Sequence, residues 1–196
     1  MTASTESRTA RTVATAKTAD GLGVRDLILI AVLLAAGAVL KLTVGTVLSM
    51  AGVKPNFMIA MYCLAIILIR PKLYQAVIIG LLTGIISQIP LLNATPLVNL
   101  ASETLGALVC GLLVMAFTKI APENKTLQNM VFPFIITFLS TVVSGYTFCI
   151  IVGCLMNSLS FGAMFVMYIP MVFGTATANS ILVAILVPVL KAVLKR

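Results

Sequence analysis

The chain has 196 residues, 61% hydrophobic and only 9% charged, with a formal net charge of +8. Soluble domains carry about 25% charged residues, so this composition, with a mean hydropathy of +1.17, excludes that class. It points instead to one all-α integral membrane domain over residues 25–196, because apolar runs of the roughly 17–25 residues that span a bilayer recur along it.

Residues 1–24 stand apart. They are rich in Thr and Ala, carry Arg8, Arg11 and Lys17, and hold no apolar core. A secretory signal needs a continuous apolar stretch that is missing here. The Arg and Thr content has a faint likeness to a transit peptide. A polar, flexible cytoplasmic tail is the plainer reading.

Six apolar segments follow. The first runs from Asp26 to about Val47, and Asp26 suits the positive end of a helix dipole. The second, Asn56–Ile69, ends at Arg70-Pro71-Lys72 and is short for a span, so tilt, irregularity or extension by its flanks is expected. The third covers Leu73–Leu92, the fourth Val98–Phe117 and the fifth about Met130–Met156. Phe161–Leu190 is too long for one simple span. Pro170 is expected to divide a lead-in loop or short helix from a sixth span ending near Pro188.

Charge placement agrees with an even number of spans. Arg8, Arg11, Lys17 and Arg25 precede the first, Arg70 and Lys72 follow the second, and Lys119 and Lys125 follow the fourth. Lys191, Lys195 and Arg196 follow the sixth, so eleven of the thirteen basic residues fall on one side and only Lys41 and Lys54 on the other. By the positive-inside rule both termini of this multi-pass chain face the cytoplasm, as expected in a plasma membrane. The outer loops are then Thr43–Pro55, Asn93–Leu97 and Asn157–Ser160. Orientation alone accounts for the net charge, and no nucleic-acid partner is implied.

Most catalytic chemistry is excluded by inspection. The chain holds no GxxxxGK[ST] phosphate loop, no GxSxG and no histidine. An aspartyl-protease pair would need a second intramembrane acid. The four cysteines, Cys63, Cys110, Cys149 and Cys154, lie in apolar segments without CxxC spacing, and read as small buried hydrophobes. Neither an enzyme nor a cofactor-dependent protein is expected.

Glu103 is the exception that carries information. It is the only acid inside the apolar segments; Glu6, Asp20, Asp26 and Glu123 lie in polar stretches or at a segment end. A carboxylate at mid-bilayer costs roughly 2.5–3.5 kcal/mol on insertion scales and is rarely kept without a partner or ligand. Asn99 lies four residues before it, on the same helix face. Other polar residues in or beside the spans are Gln88, Ser102, Ser140, Ser144, Tyr146, Thr175, Thr177 and Asn179. Several of these gather toward the outer side. For Asn, Ser and Thr, structural hydrogen bonds between helices are the bland alternative. Lys54-Pro55-Asn56 lies in the basic outer loop: Lys54 suits a ligand carboxylate, and Asn56 suits either a helix cap or a ligand.

Small residues recur at helical spacing: Ala31 and Ala35, Gly80 and Gly84, Ala107 and Gly111, Gly174 and Ala178. Such pairs let helix backbones approach closely in lipid, and packing within one chain is the ordinary use.

Taken in order, these features resemble the substrate-binding S components of energy-coupling factor (ECF) transporters, most closely the tryptophan-transporter-like members. The likeness covers about Arg25–Arg196. It rests on Ala31-Val32-Leu33-Leu34-Ala35, on Lys54-Pro55-Asn56-Phe57-Met58 after a long first loop, on Gly80-Leu81-Leu82-Thr83-Gly84-Ile85-Ile86-Ser87, and on Pro96-Leu97-Val98-Asn99. The resemblance implies six transmembrane helices and a small-molecule substrate captured on the outer face. It also implies partnership with a transmembrane T component and two cytoplasmic ATPases whose ATP hydrolysis topples the S component in the bilayer. Ala31 and Ala35 would then contact the T component. For an amino-acid substrate, Glu103 would receive the ammonium, Lys54 the carboxylate, and Phe57, Tyr146 or Phe148 the ring. Asn99, Asn56, Gln88 and Asn179 complete the candidate site. Two other readings stand beside this one: a stand-alone carrier coupled through Glu103, and a non-transporting membrane scaffold.

Overall fold

The computed structural model describes residues 21–50, 55–89, 95–120 and 124–195. The predicted N-terminal tail therefore lies outside the described residues, apart from Gly21–Val24. The described residues contain no strand. Their helices are α1 (Val24–Leu42), α2 (Val44–Met50), α3 (Phe57–Ile69), α4 (Leu73–Ile86), α5 (Pro96–Phe117), α6 (Phe132–Cys149) and α7 (Phe161–Leu194). Helix α6 is extended at both ends by π-helical turns, Leu127–Val131 and Ile150–Met156.

Helix α1 begins where its sequence predicts. The Asp26 carboxylate accepts from the Gly23 N–H at 3.2 Å, satisfying one of the donors that a helix start leaves unpaired. Helix α2 follows α1 with only Thr43 between them, and the Val47 N–H reaches the Thr43 carbonyl at 3.2 Å. The predicted outer loop from Thr43 is therefore helical as far as Met50. At the other end of the chain, Phe161–Leu194 is one continuous helix of 34 residues that contains both Pro170 and Pro188. This corrects the predicted division at Pro170. A proline removes one backbone hydrogen bond, and packing along the length of α6 keeps the turns on either side helical.

Helix α3 explains its own shortness. Every residue from Phe57 to Leu68 is buried, on all faces of the helix. A helix apolar all round belongs inside protein, and α3 packs against α1, α5, α6 and α7. Its 13 residues rise about 20 Å, less than the roughly 30 Å hydrocarbon core. Because neighbouring helices enclose it, it has no need to match lipid thickness. Four helical rods are long and apolar enough to cross a membrane: Val24–Leu48, Leu97–Phe117, Leu127–Met156 and Phe161–Leu194. Helices α3 and α4 are apolar but shorter.

The small-residue pairs divide by use. Gly80 and Gly84 of α4 face the backbone of α5: a Cβ on Gly80 would stand 2.8 Å from the Glu103 carbonyl oxygen, and one on Gly84 2.8 Å from the Leu100 Cα. From α5, Ala107 meets Gly80 and Gly111 meets Ala76, closing a reciprocal seam. These pairs serve packing within the chain. Ala31 and Ala35 are exposed on α1, and a Cβ added to Gly174 would meet nothing within 4 Å among the described residues.

The seam makes a direct prediction. Gly80→Val or Gly84→Val should cost about 1–3 kcal/mol or more, since backbone rather than a movable side chain blocks the added atoms. A fall in melting temperature of the purified protein in detergent checks this. An unchanged melting temperature would show that α4 and α5 can separate freely.

Candidate functional site

The seam fixes α5, and α5 fixes the site. Asn99 and Glu103 stand one turn apart on it, with 2% and 0% of their surface exposed. The Asn56 side-chain amide donates to Glu103 Oε1 at 2.5 Å. Asn179 of α7 donates from its own amide to the Asn56 carbonyl at 3.1 Å. A buried carboxylate, the start of α3 and the middle of α7 are thus joined in one polar chain. Asn56 stands at the cap position of α3 but makes no side-chain cap bond. Its amide is committed to Glu103 instead.

The other polar residues of the spans behave differently. Ser140, Ser180 and Thr83 each donate to the carbonyl four residues back, at 2.7, 2.6 and 2.8 Å. Hydroxyls can satisfy themselves within their own helix in this way. Carboxamides and carboxylates are harder to satisfy so locally. Among the described residues, Glu103 Oε2, Asn56 Oδ1, Asn179 Oδ1, Asn99 Nδ2 and Thr141 Oγ1 are buried without a hydrogen-bond partner. Buried polar groups are normally paired, so this cluster has unspent hydrogen-bonding capacity.

A cavity of about 320 Å³ opens beside it, within the size range of small-molecule sites. One side is polar, with Lys41, Asn56, Thr95, Asn99 and Ser102. The opposite side, from α6 and α7, is apolar, with Phe148, Val152, Met171 and Val172. Thr141, Ser144 and Thr175 lie among these. Gly145 allows α7 to close in, since a Cβ there would meet Val172 at 3.1 Å. Glu103 does not line the cavity; it stands behind Asn56. The Lys41 ammonium acts on the Glu103 carboxylate through space. The cavity therefore offers a cation, an amide donor, an acceptor backed by an anion, and an apolar wall. That set suits a small molecule carrying both charges and an apolar body. Among the described residues, no group of three or more His, Cys, Asp or Glu side chains could hold a metal ion.

The predicted site residues separate accordingly. Asn56 and Asn99 line the cavity, and Glu103 and Asn179 belong to the polar chain behind it. Phe57 is buried at the start of α3 outside the lining. Gln88 donates to the Gly84 carbonyl at 2.7 Å at the end of α4. Tyr146 stacks on Phe165, ring centres 4.1 Å apart and planes within 5°, away from the cavity, whereas Phe148 does line it. Lys54 lies outside the described residues. Ala31 and Ala35 border an apolar groove of about 480 Å³ between α1 and α4. Sequence reasoning missed Lys41 as a site residue, together with Thr95, Thr141 and Met171. Lys41 had a signal: it is the one cation within the first apolar segment.

The polar chain yields a double-mutant test. Asn56→Leu should destabilise the fold by about 3–5 kcal/mol, because it takes from a buried carboxylate the amide that donates to it. Asn56→Leu with Glu103→Leu should recover much of that loss. Melting of the two single variants and the double variant checks it, and strictly additive losses would show that the two side chains are uncoupled.

Comparison with known proteins places the chain in a family. Residues 23–195 match the family model described as "Tryptophan transporter TrpP". The chain is 28% identical over 173 residues to the "Probable tryptophan transport protein" of Bacillus subtilis (strain 168), covering 88% of this chain and 94% of that one. No solved structure gives a significant match. The family is one of transporters rather than of enzymes, and its model spans nearly all of the helical bundle. This multi-pass membrane protein belongs to the TrpP tryptophan transporter family.

Proposed function

We propose that the chain is the substrate-binding S component of an ECF-type importer and captures L-tryptophan, or a closely related amino acid, in the 320 Å³ cavity. The observation that carries this reading is the pairing, in one cavity, of a polar side and an apolar side of matching chemistry. Lys41 and the Asn99 amide receive the substrate carboxylate. Asn56 Oδ1, backed by Glu103, receives the ammonium. Phe148, Met171 and Val172 take the ring, by aromatic and thioether contact. Lys54, just before α3 in sequence, is a second candidate cation for the carboxylate. The family match and the name of the Bacillus relative support the choice of tryptophan.

Six crossings, with α3 and α4 as the short ones and both termini cytoplasmic, fit the distribution of basic residues in the cell membrane. The cavity then opens toward the outer side, near the C-terminal end of α1 and the start of α5. The sequence holds no phosphate loop of its own, so ATP hydrolysis falls to two partner ATPases coupled through a T component. The exposed Ala31 and Ala35, on the groove bordered by Leu27, Ile78 and Leu82, give a T-component helix a surface of small residues for close approach.

Two experiments test this. The chain contains no tryptophan, so added L-tryptophan can be followed by its own emission without indole background. A saturable blue shift is expected, and Lys41→Met should weaken binding about 10- to 150-fold, the worth of one hydrogen bond to a charged group. No shift with folded protein would reject tryptophan. Ala35→Trp should abolish uptake in cells that carry the partner subunits while leaving binding by isothermal calorimetry intact. Uptake that persists in this variant, or that proceeds without any ATPase, would favour a stand-alone carrier.

A further inference from the structure

The far end of α3 holds a second concavity. It is a cleft of about 520 Å³ lined by Arg70, Lys125, Asn129, Pro188 and Lys191, with Leu68 and Ala192 beside them. The three cations come from three separate places: the α3–α4 link, the start of the α6 rod and the last turns of α7. Arg70 and Lys191 are close enough to act on each other as like charges. Among the described residues only Asp26 and Glu103 carry carboxylates, and neither lines this cleft.

Two ordinary explanations fall short. A helix C-terminus attracts cations, which covers Arg70 on α3 and Lys191 on α7. Lys125 occupies the first helical residues of the α6 rod, where the dipole disfavours a positive charge. The positive-inside bias sets how many cations face this side, but not their convergence on one hollow. Two further details show that the cluster is held in place. Lys191 Nζ donates to Asn129 Oδ1 at 2.7 Å, which directs the ammonium to the cleft wall. Arg70 adopts a left-handed backbone, φ 52° and ψ 56°, a conformation glycine would hold with less strain.

We propose that this cleft binds a phosphate-bearing anion, either the phosphodiester headgroup of an anionic phospholipid or soluble phosphate. An Arg fork and two Lys donors match the oxygens of a phosphate. Basic hollows between helix ends at a membrane surface are suited to anionic headgroups, and Leu68, Pro188 and Ala192 supply apolar contact for the glycerol and first acyl carbons. The inference does not depend on the substrate reading, because the two sites lie at opposite ends of α3.

The test uses the full chain in detergent. Unfolding is followed with a fluorogenic maleimide, since Cys63, Cys110 and Cys149 are buried in the folded state. Phosphatidylglycerol is compared with phosphatidylcholine at equal mole fraction, and inorganic phosphate with chloride at equal ionic strength. A rise in melting temperature of at least about 2 °C is expected with a phosphate-bearing anion. A rise with phosphatidylglycerol alone identifies a lipid headgroup. A rise with inorganic phosphate, abolishing any further gain from the lipid, identifies a soluble anion. Arg70→Gln with Lys191→Gln should remove the rise, and Arg25→Gln, a basic residue outside the cleft, should keep it. Should the double variant not fold, Lys125→Gln, exposed on the cleft rim, is expected to lower the gain instead. The proposal is overturned if neither anion raises the melting temperature, if the cleft variants leave the rise intact, or if Arg25→Gln removes it equally.

Discussion

One hydrogen bond organises the cavity end of this molecule: the Asn56 amide to the buried Glu103 carboxylate. An ion withdrawn from water must be compensated within a few ångströms. That requirement sets where α3 begins relative to α5, and Asn179 extends it to α7. Helix α3 gives up side-chain capping at its first turn to meet it. The cavity is the space that remains when these three helices are fixed by polar contacts and α6 is fixed by apolar ones. Helix α7 takes part in both, with Asn179 in the polar chain and Met171 and Val172 on the apolar wall.

The carboxylate is held in register by what α4 lacks. Gly80 sits against the Glu103 backbone oxygen and Gly84 against Leu100. A methyl group at either position would push α5 outward and carry Glu103 away from Asn56. Close backbone approach supplies dispersion contacts in a medium where the hydrophobic effect does not drive helices together. The glycine seam and the polar chain are therefore two halves of one arrangement, an apolar contact that positions and a polar contact that specifies.

Much of this was legible in the chain itself. Glu103 was visible because charge is costly in an apolar segment, and Asn99 because helical spacing puts it on the same face. The GxxxG of α4 was visible as a packing element, though its particular partner was not. Other features depended on tertiary context. Tyr146 carries a ring and a hydroxyl, but which face of α6 meets Phe165 rather than the cavity follows from how α7 lies. The continuity of α7 through Pro170 rests on neighbours that pack against it. Lys41 was counted only in the charge tally, where it stood with Lys54 on the side poor in basic residues, and that exception to the charge rule was the signal of a site. Asn56 was ambiguous between cap and site because both uses place the same residue at the same position.

The enclosure of α3 has a mechanical consequence. The helix is a stiff rod sheathed along nearly its whole length, touching the cavity at Asn56 and Ile59 and the basic cleft at Leu68 and Arg70. Such a rod cannot bend to absorb a push, because a close-packed sheath leaves no room. It can only slide or turn as a unit. Its polar tip and its cationic tip stand about 20 Å apart. Among the described helices, the one buried on all its faces is thus the one that touches both the cavity and the cleft.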